Sequence, residues 1–168
     1  MKTDRQTTTA EPRRIRLQAT VGTLILETNG EAVSVIRLAN DHDSAVPDSA
    51  PEGSVLNLAA REMAEYFAGK RTAFTFAMRP EGTVFQQQVW QALLTIPYGE
   101  TRSYGEIAMQ VGNPNGARAV GGACNANPLW IAVPCHRVIG ANGTLTGYAF
   151  GTGMKQTLLT LEQKHRPN

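Results

Sequence analysis

A chain of 168 residues with 42% hydrophobic and 18% charged residues can bury a real core in one ordinary domain or two small ones, which excludes extended disorder. No apolar run approaches the ~20 residues of a membrane span, and the polar start Met1–Thr9 has no apolar segment of the secretory kind, so a cytoplasmic protein with a flexible segment 1–12 is expected. The net charge of +2 does not announce nucleic acid by itself: residues 1–80 hold ten Lys/Arg against ten Asp/Glu, and residues 81–168 hold six against four.

Residues Arg14 to Leu38 read as strands separated by turns at Gly22 and Asn29-Gly30, a hairpin or meander. Asn40 to Gly53 is a polar, Pro-containing loop. Leu56 to Phe67 then has helical periodicity, ended by Gly69. After the linker Met78–Gly82 the chain turns to short helices, which predicts an α/β domain over 13–79 and a second domain over 80–168. Phe85, Val89, Trp90, Leu93 and Leu94 fall on one helical face, stopped by Ile96-Pro-Tyr-Gly99.

Ser103-Tyr-Gly-Glu106 is a capping box that opens a helix containing Ile107, Ala108 and Val111, and Gly112-Asn-Pro114 ends it. Asn115 to Cys124 follows at once as a second helix, the layout of a helix-turn-helix. Between Ile107 and Pro128 the only charged residue is Arg118. Glycine inside that second helix costs about 1 kcal/mol per residue, so either close helix packing or close approach to a nucleic acid surface must offset it. Val138 to Tyr148, with Asn142-Gly143 at its centre, reads as a hairpin, and Lys155 to Lys164 as a closing helix.

The chain has two cysteines, Cys124 and Cys135, too few for a disulfide scaffold in a reducing compartment, so at least one free thiol is expected. There is no C-x-x-C, and His42, His136 and His165 are scattered, so no metal site is expected. Cys135 stands between Pro134 and His136-Arg137. A thiol attacks as its thiolate, and with a pKa near ~8.5 it needs a base or a positive neighbour. Adjacent residues of an extended segment point to opposite sides, so His136 reaches Cys135 only if the backbone turns or a water bridges them; Pro134 favours such a turn. A histidine base in turn wants an orienting carboxylate, and Glu162, on a helix with Leu158, Leu159 and Leu161, is the best candidate by character. The plainer readings stay open: Cys135 as a small buried hydrophobe, His136 bonded to backbone, and Glu162 as a solvated charge beside Lys164 and Arg166.

Pro134-Cys-His-Arg-Val138, together with Phe85-Gln-Gln-Gln-Val-Trp90, Ile96-Pro-Tyr-Gly99, Ser103-Tyr-Gly-Glu-Ile-Ala108, Ala117-Arg-Ala-Val-Gly-Gly122, Asn127-Pro128 and Thr146-Gly-Tyr148, resembles the O6-alkylguanine-DNA alkyltransferases in motif and order. The resemblance covers Phe85 to Glu162; the N-terminal part matches in character alone. It implies an α+β fold, with a small ribonuclease H-like N-terminal α/β domain and a winged-helix-like helix-turn-helix domain. It implies a single-use repair protein that transfers the alkyl group of O6-alkylguanine in DNA to its own cysteine. By the same resemblance Cys135 is the acceptor, His136 activates it through a water, Glu162 orients His136, and Asn127 ties the recognition helix to the active-site loop. Arg118 replaces the extruded base in the stack, and Tyr104 aids extrusion and protonates guanine N3. Val138, Tyr148 and Ala149 form the pocket wall and lid, while Ser103, Asn113, Ala119 and Gly121 complete the contacts to DNA and base. No cofactor is implied. The implied partner is double-stranded DNA bound by a monomer, with O4-alkylthymine as a second substrate and cooperative binding left open, and no membrane. A non-catalytic lesion-binding or regulatory DNA-binding protein is the competing reading. Three departures stand out: Cys124 beside the pocket, Phe150 where glycine is common, and no counterpart to the zinc ligands of some members.

Overall fold

The computed structural model describes residues 11–145 and 151–167. Strands β1 (Arg14–Ala19), β2 (Gly22–Thr28) and β3 (Val33–Leu38) form an antiparallel meander in the order β1-β2-β3. Leu17 opposes Leu24 and Leu26 opposes Ile36. Alternation sends Ile15, Leu24 and Leu26 into the core, and Val33 joins Ile36 there because the β2–β3 register shifts at Glu27/Thr28. Helix α1 (Val55–Phe67), capped by the Ser54 side chain, packs on β1 and β2 through Leu56, Ala59, Met63 and Tyr66, whose 3-4-3 spacing is one helical face. Gly69 follows its C-terminus at φ 74°, and a Cβ there would lie 2.2 Å from the His165 ring. Glycine is needed for the turn and for the close approach alike.

The outer edge of β3 does not end in solvent. Val33 N–H donates to Ala77 O (2.8 Å), Ile36 N–H to Pro128 O (2.8 Å), and Trp130 N–H returns to Ile36 O (3.2 Å). The sheet therefore anchors the segment that leads into Cys135.

Helix α2 (Val84–Leu93) starts on a Thr83–Gln86 capping box and buries Val89, Trp90 and Leu93. Leu94, expected on the same face, is 42% exposed, because the helix closes at Leu93 and Leu94 falls on its cap. Strand β4 (Arg102–Ser103) leads into α3 (Tyr104–Gln110), and the Ser103–Glu106 capping box forms as expected. Helix α4 (Ala117–Asn125) begins two residues later than expected, since Asn113 O accepts from Gly116 N–H in the intervening turn. Helices α2, α3 and α4 pack on one another, with Trp90 Nε1–H donating to Ala123 O at 2.9 Å.

Strand β5 (Val138–Ile139) departs from the expected hairpin. It pairs in parallel with β4, Arg102 opposite Val138, rather than with the chain that follows. The predicted turn is present: Gly140 N–H donates to Thr144 O at 2.8 Å and Gly143 has φ 81°. Leu145 is in no strand, and 146–150 lie outside the described residues, as do 1–10 of the expected flexible start. Helix α5 (Thr152–Lys164) closes the fold. No helix among the described residues is long and apolar enough to cross a membrane.

Candidate active site

Pro134 sets the turn at the cysteine, and Cys135–Arg137 form a single 3-10 turn in which Arg137 N–H donates to Pro134 O at 3.0 Å. The approach to it is strained: Ile131, β-branched, sits at φ 71°. That conformation is held by Val133 N–H to Leu129 O (2.9 Å) and by the full burial of residues 129–133. Asn127, just past α4, completes the hold. Its Nδ2 donates to Val133 O (2.8 Å) and to Cys135 Sγ (3.4 Å), and its Oδ1 accepts from Leu129 N–H (2.9 Å).

Cys135 is 4% exposed. Burial pushes its thiol pKa up, opposed by the Asn127 hydrogen bond and the Lys155 charge, so the resting group is a thiol that needs a base. His136 is fully buried, with Nε2 2.5 Å from Glu162 Oε2. Burial lowers its pKa against the opposing pull of Glu162, which leaves a neutral imidazole at neutral pH. A carboxylate only accepts, so Nε2 carries the proton. Nδ1, buried and without a partner among the described residues, is the basic nitrogen.

Glu162 is not a solvated helix-face charge; it is fully buried. Its Oε2 accepts from His136 Nε2, from Tyr66 Oη–H (2.6 Å) and from Arg137 Nη2 (3.2 Å), and its Oε1 accepts from Arg137 Nε (2.7 Å) and Gly99 N–H (3.1 Å). Burial alone would raise its pKa, but the hydrogen bonds from His136 and Arg137 and the charge of Arg137 outweigh that and hold it well below the usual carboxylate range. Arg137 is itself tied to Ile96 O at 2.8 Å.

The opposite wall is Tyr104, Cys124 and Lys155. Lys155 is fully buried, and its Nζ donates to Tyr104 Oη at 3.4 Å and lies 5.5 Å from the ring centroid. Burial, reinforced by the two nearby cysteines, pushes the Tyr104 pKa up to about 12, so it stays a protonated phenol. Burial and Cys135 likewise push Cys124 up to about 12. Both thiols are free. Among the described residues no three or more His, Cys, Asp or Glu gather as metal ligands do.

The structure thus brings Cys135, His136, Glu162, Asn127 and Tyr104 into one neighbourhood, with Val138 buried just beyond the Cys135–Arg137 turn. Arg118, Ala119 and Asn113 lie apart from it, exposed on α4 and the turn before it. Ser103 caps α3. A Cβ on Gly121 would lie 3.9 Å from the Tyr104 ring, and one on Gly122 would meet nothing within 4 Å, so packing inside the protein does not demand glycine at Gly122. Tyr148 and Ala149 lie outside the described residues. Sequence reasoning missed Tyr66, Lys155 and the pairing of Arg137 with Glu162. A signal for Lys155 existed: Lys155, Leu158 and Glu162 share one helical phase, and all three are buried.

Residues 84–164 match the family model described as 6-O-methylguanine DNA methyltransferase, DNA binding domain. The chain is 48% identical over 147 residues to a methylated-DNA–protein-cysteine methyltransferase of Methanosarcina acetivorans, covering 86% of this chain and 94% of the relative. It is 49% identical over 151 residues to that of Mycobacterium leprae, covering 89% and 91%. The crystal structure of Mycobacterium tuberculosis OGT in complex with DNA superposes with a TM-score of 0.81 at 45% identity, covering 92% of this chain and 94% of that one. The chain belongs to the methylated-DNA–protein-cysteine methyltransferase family.

Proposed function

We propose that this protein repairs DNA by direct reversal, moving the alkyl group of an O6-alkylguanine onto Cys135 in one irreversible turnover. The observation that carries this reading is the buried chain from the cysteine to the carboxylate: a thiol held by Asn127, a neutral His136 with Nδ1 unengaged, and Nε2–H fixed on an ionised Glu162. His136 Nδ1 takes the thiol proton through a water. The thiolate forms an S–C bond to the alkyl carbon as the C–O6 bond breaks, and Tyr104 delivers a proton to the departing guanine at N3, to be replaced in turn by the proton that left the thiol. The thioether is a poor alkyl donor, so the cysteine is consumed, and no cofactor is needed because the protein is the second substrate.

A relative solved in complex with DNA supports DNA as the partner, and the reading takes that DNA as double-stranded. Helix α4 enters the minor groove, where the open flank of Gly122 supports close approach and Arg118 fills the place of the flipped base. Ser103, Asn113, Ala119 and Gly121 contact the backbone and base, while Val138, with Tyr148 and Ala149, walls the pocket. The same reading divides the chain near residue 80, and takes the protein as a cytoplasmic monomer. The test is intact mass spectrometry after incubation with a duplex containing O6-methylguanine, followed by peptide mapping. One added methylene on Cys135, stopping at one equivalent and absent in Cys135→Ser, is expected. Tight binding with no mass change would leave a lesion-binding protein instead.

A further inference from the structure

Three of the five hydrogen bonds to Glu162 come from the turn at Cys135–Arg137, from His136 Nε2 and twice from Arg137, and a fourth comes from Gly99 N–H between α2 and β4. The fifth comes from Tyr66 on α1, 96 residues away in sequence. The alkyl-transfer steps above make no use of it. We infer that Tyr66 is a positioning residue that sets the basicity of His136 through the carboxylate oxygen the two share. The inference rests on the proposed roles of His136 and Glu162.

The geometry leaves the two donors in competition. Tyr66 Oη–H (2.6 Å) and His136 Nε2–H (2.5 Å) both point at Oε2, so charge that one withdraws is not available to the other. Tyr66 stays a donor throughout, because burial, and then Glu162, push its pKa well above that of a free phenol. Its ring cannot drift: Phe67 stands edge-on at 5.4 Å, Phe74 at 5.6 Å and Tyr98 edge-on at 6.1 Å between centroids. A carboxylate is also not simply what any buried phenol finds here. The neighbouring Tyr98 Oη is buried with no hydrogen-bond partner among the described residues. The other charged or titratable groups facing the pair are Arg137, which bonds Glu162 directly, Lys155 on α5, Tyr98 and Cys135. These are unchanged when Tyr66 loses only its hydroxyl.

Tyr66→Phe keeps the ring and deletes the donor. The carboxylate then concentrates its charge on His136, so the Nε2–H proton resonance moves downfield at neutral pH. The imidazolium is favoured, and the acid limb of the single-turnover rate profile moves to higher pH by about half to one unit, a roughly threefold to tenfold loss of rate below the limb. Phe67→Leu loosens the same aromatic cluster without touching the hydroxyl, and should lower stability while leaving the resonance in place. An unmoved resonance in Tyr66→Phe, or an equal shift in Phe67→Leu, overturns the inference. If the wild-type protein transfers no alkyl group, the proposed function falls, while the resonance still decides whether Tyr66 governs His136.

Discussion

Replacing Glu162 by glutamine keeps the volume and removes the charge at the point where the site is most heavily bonded. Five donor contacts converge on its two oxygens. A glutamine offers one oxygen, and whichever way the amide turns, its NH2 faces an N–H or O–H that also donates. Arg137, 7% exposed, is left without its countercharge. Breaking one side of a buried pair costs about 3–5 kcal/mol. At roughly 2–4 °C per kcal/mol for a chain of this size, the melting midpoint should fall by roughly 6–20 °C. Transfer should slow further than stability accounts for, by roughly 10²–10⁴-fold, because the imidazole loses the group that fixes its tautomer. Urea unfolding followed by circular dichroism measures the first effect, and single-turnover transfer on the folded fraction the second. Arg137→Met combined with Glu162→Gln separates the charge from the packing: the double variant should cost less than the sum of the singles, since the second substitution removes the stranded guanidinium. A Glu162→Gln loss below about 1 kcal/mol, or strictly additive singles, would refute the view that a buried charge pair holds this site.

Gly122→Ala should leave the fold intact or stabilise it by about 0.5–1 kcal/mol, since the added methyl meets nothing within the protein. Its affinity for duplex DNA should fall, and unchanged affinity in a titration would remove the close-approach reading of α4. Stability should decline in two stages as the pH falls. His136 has a folded pKa below its unfolded value of about 6.5, so its contribution is present above that pH and is lost as pH falls through the folded value. Glu162 is depressed from about 4.3, so its share, like those of Asp43 and Glu62, is lost only below that pH, and Glu162→Gln should show a smaller second stage in unfolding midpoints measured against pH.

What could be read in advance divides along the range of the interaction. The capping box at Ser103, the Gly69 stop and the turn at Pro134 are written within four residues of where they act, and each forms as expected. Glu162 was legible as a candidate because it shares one helix with Leu158, Leu159 and Leu161, where it falls in phase with the buried Leu158. Lys155 carries the same phase, yet a lysine offers no local sign that its charge will be buried. Tyr66, the Arg137 pairing and the parallel pairing of Val138 with Arg102 depend on segments 96, 25 and 36 residues apart that meet only when the sheet and helices pack. Ile131 is the sharpest case. Its backbone conformation runs against the preference of a β-branched residue, and it persists because Asn127, the β3 edge and the core around Trp130 fix both ends of a five-residue segment. The cysteine is therefore presented by constraints that lie outside its own motif. The motif marks the proposed acceptor atom, and the N-terminal sheet and helix, through Ile36 and Tyr66, contact the segment and the carboxylate that hold Cys135 and His136 in place.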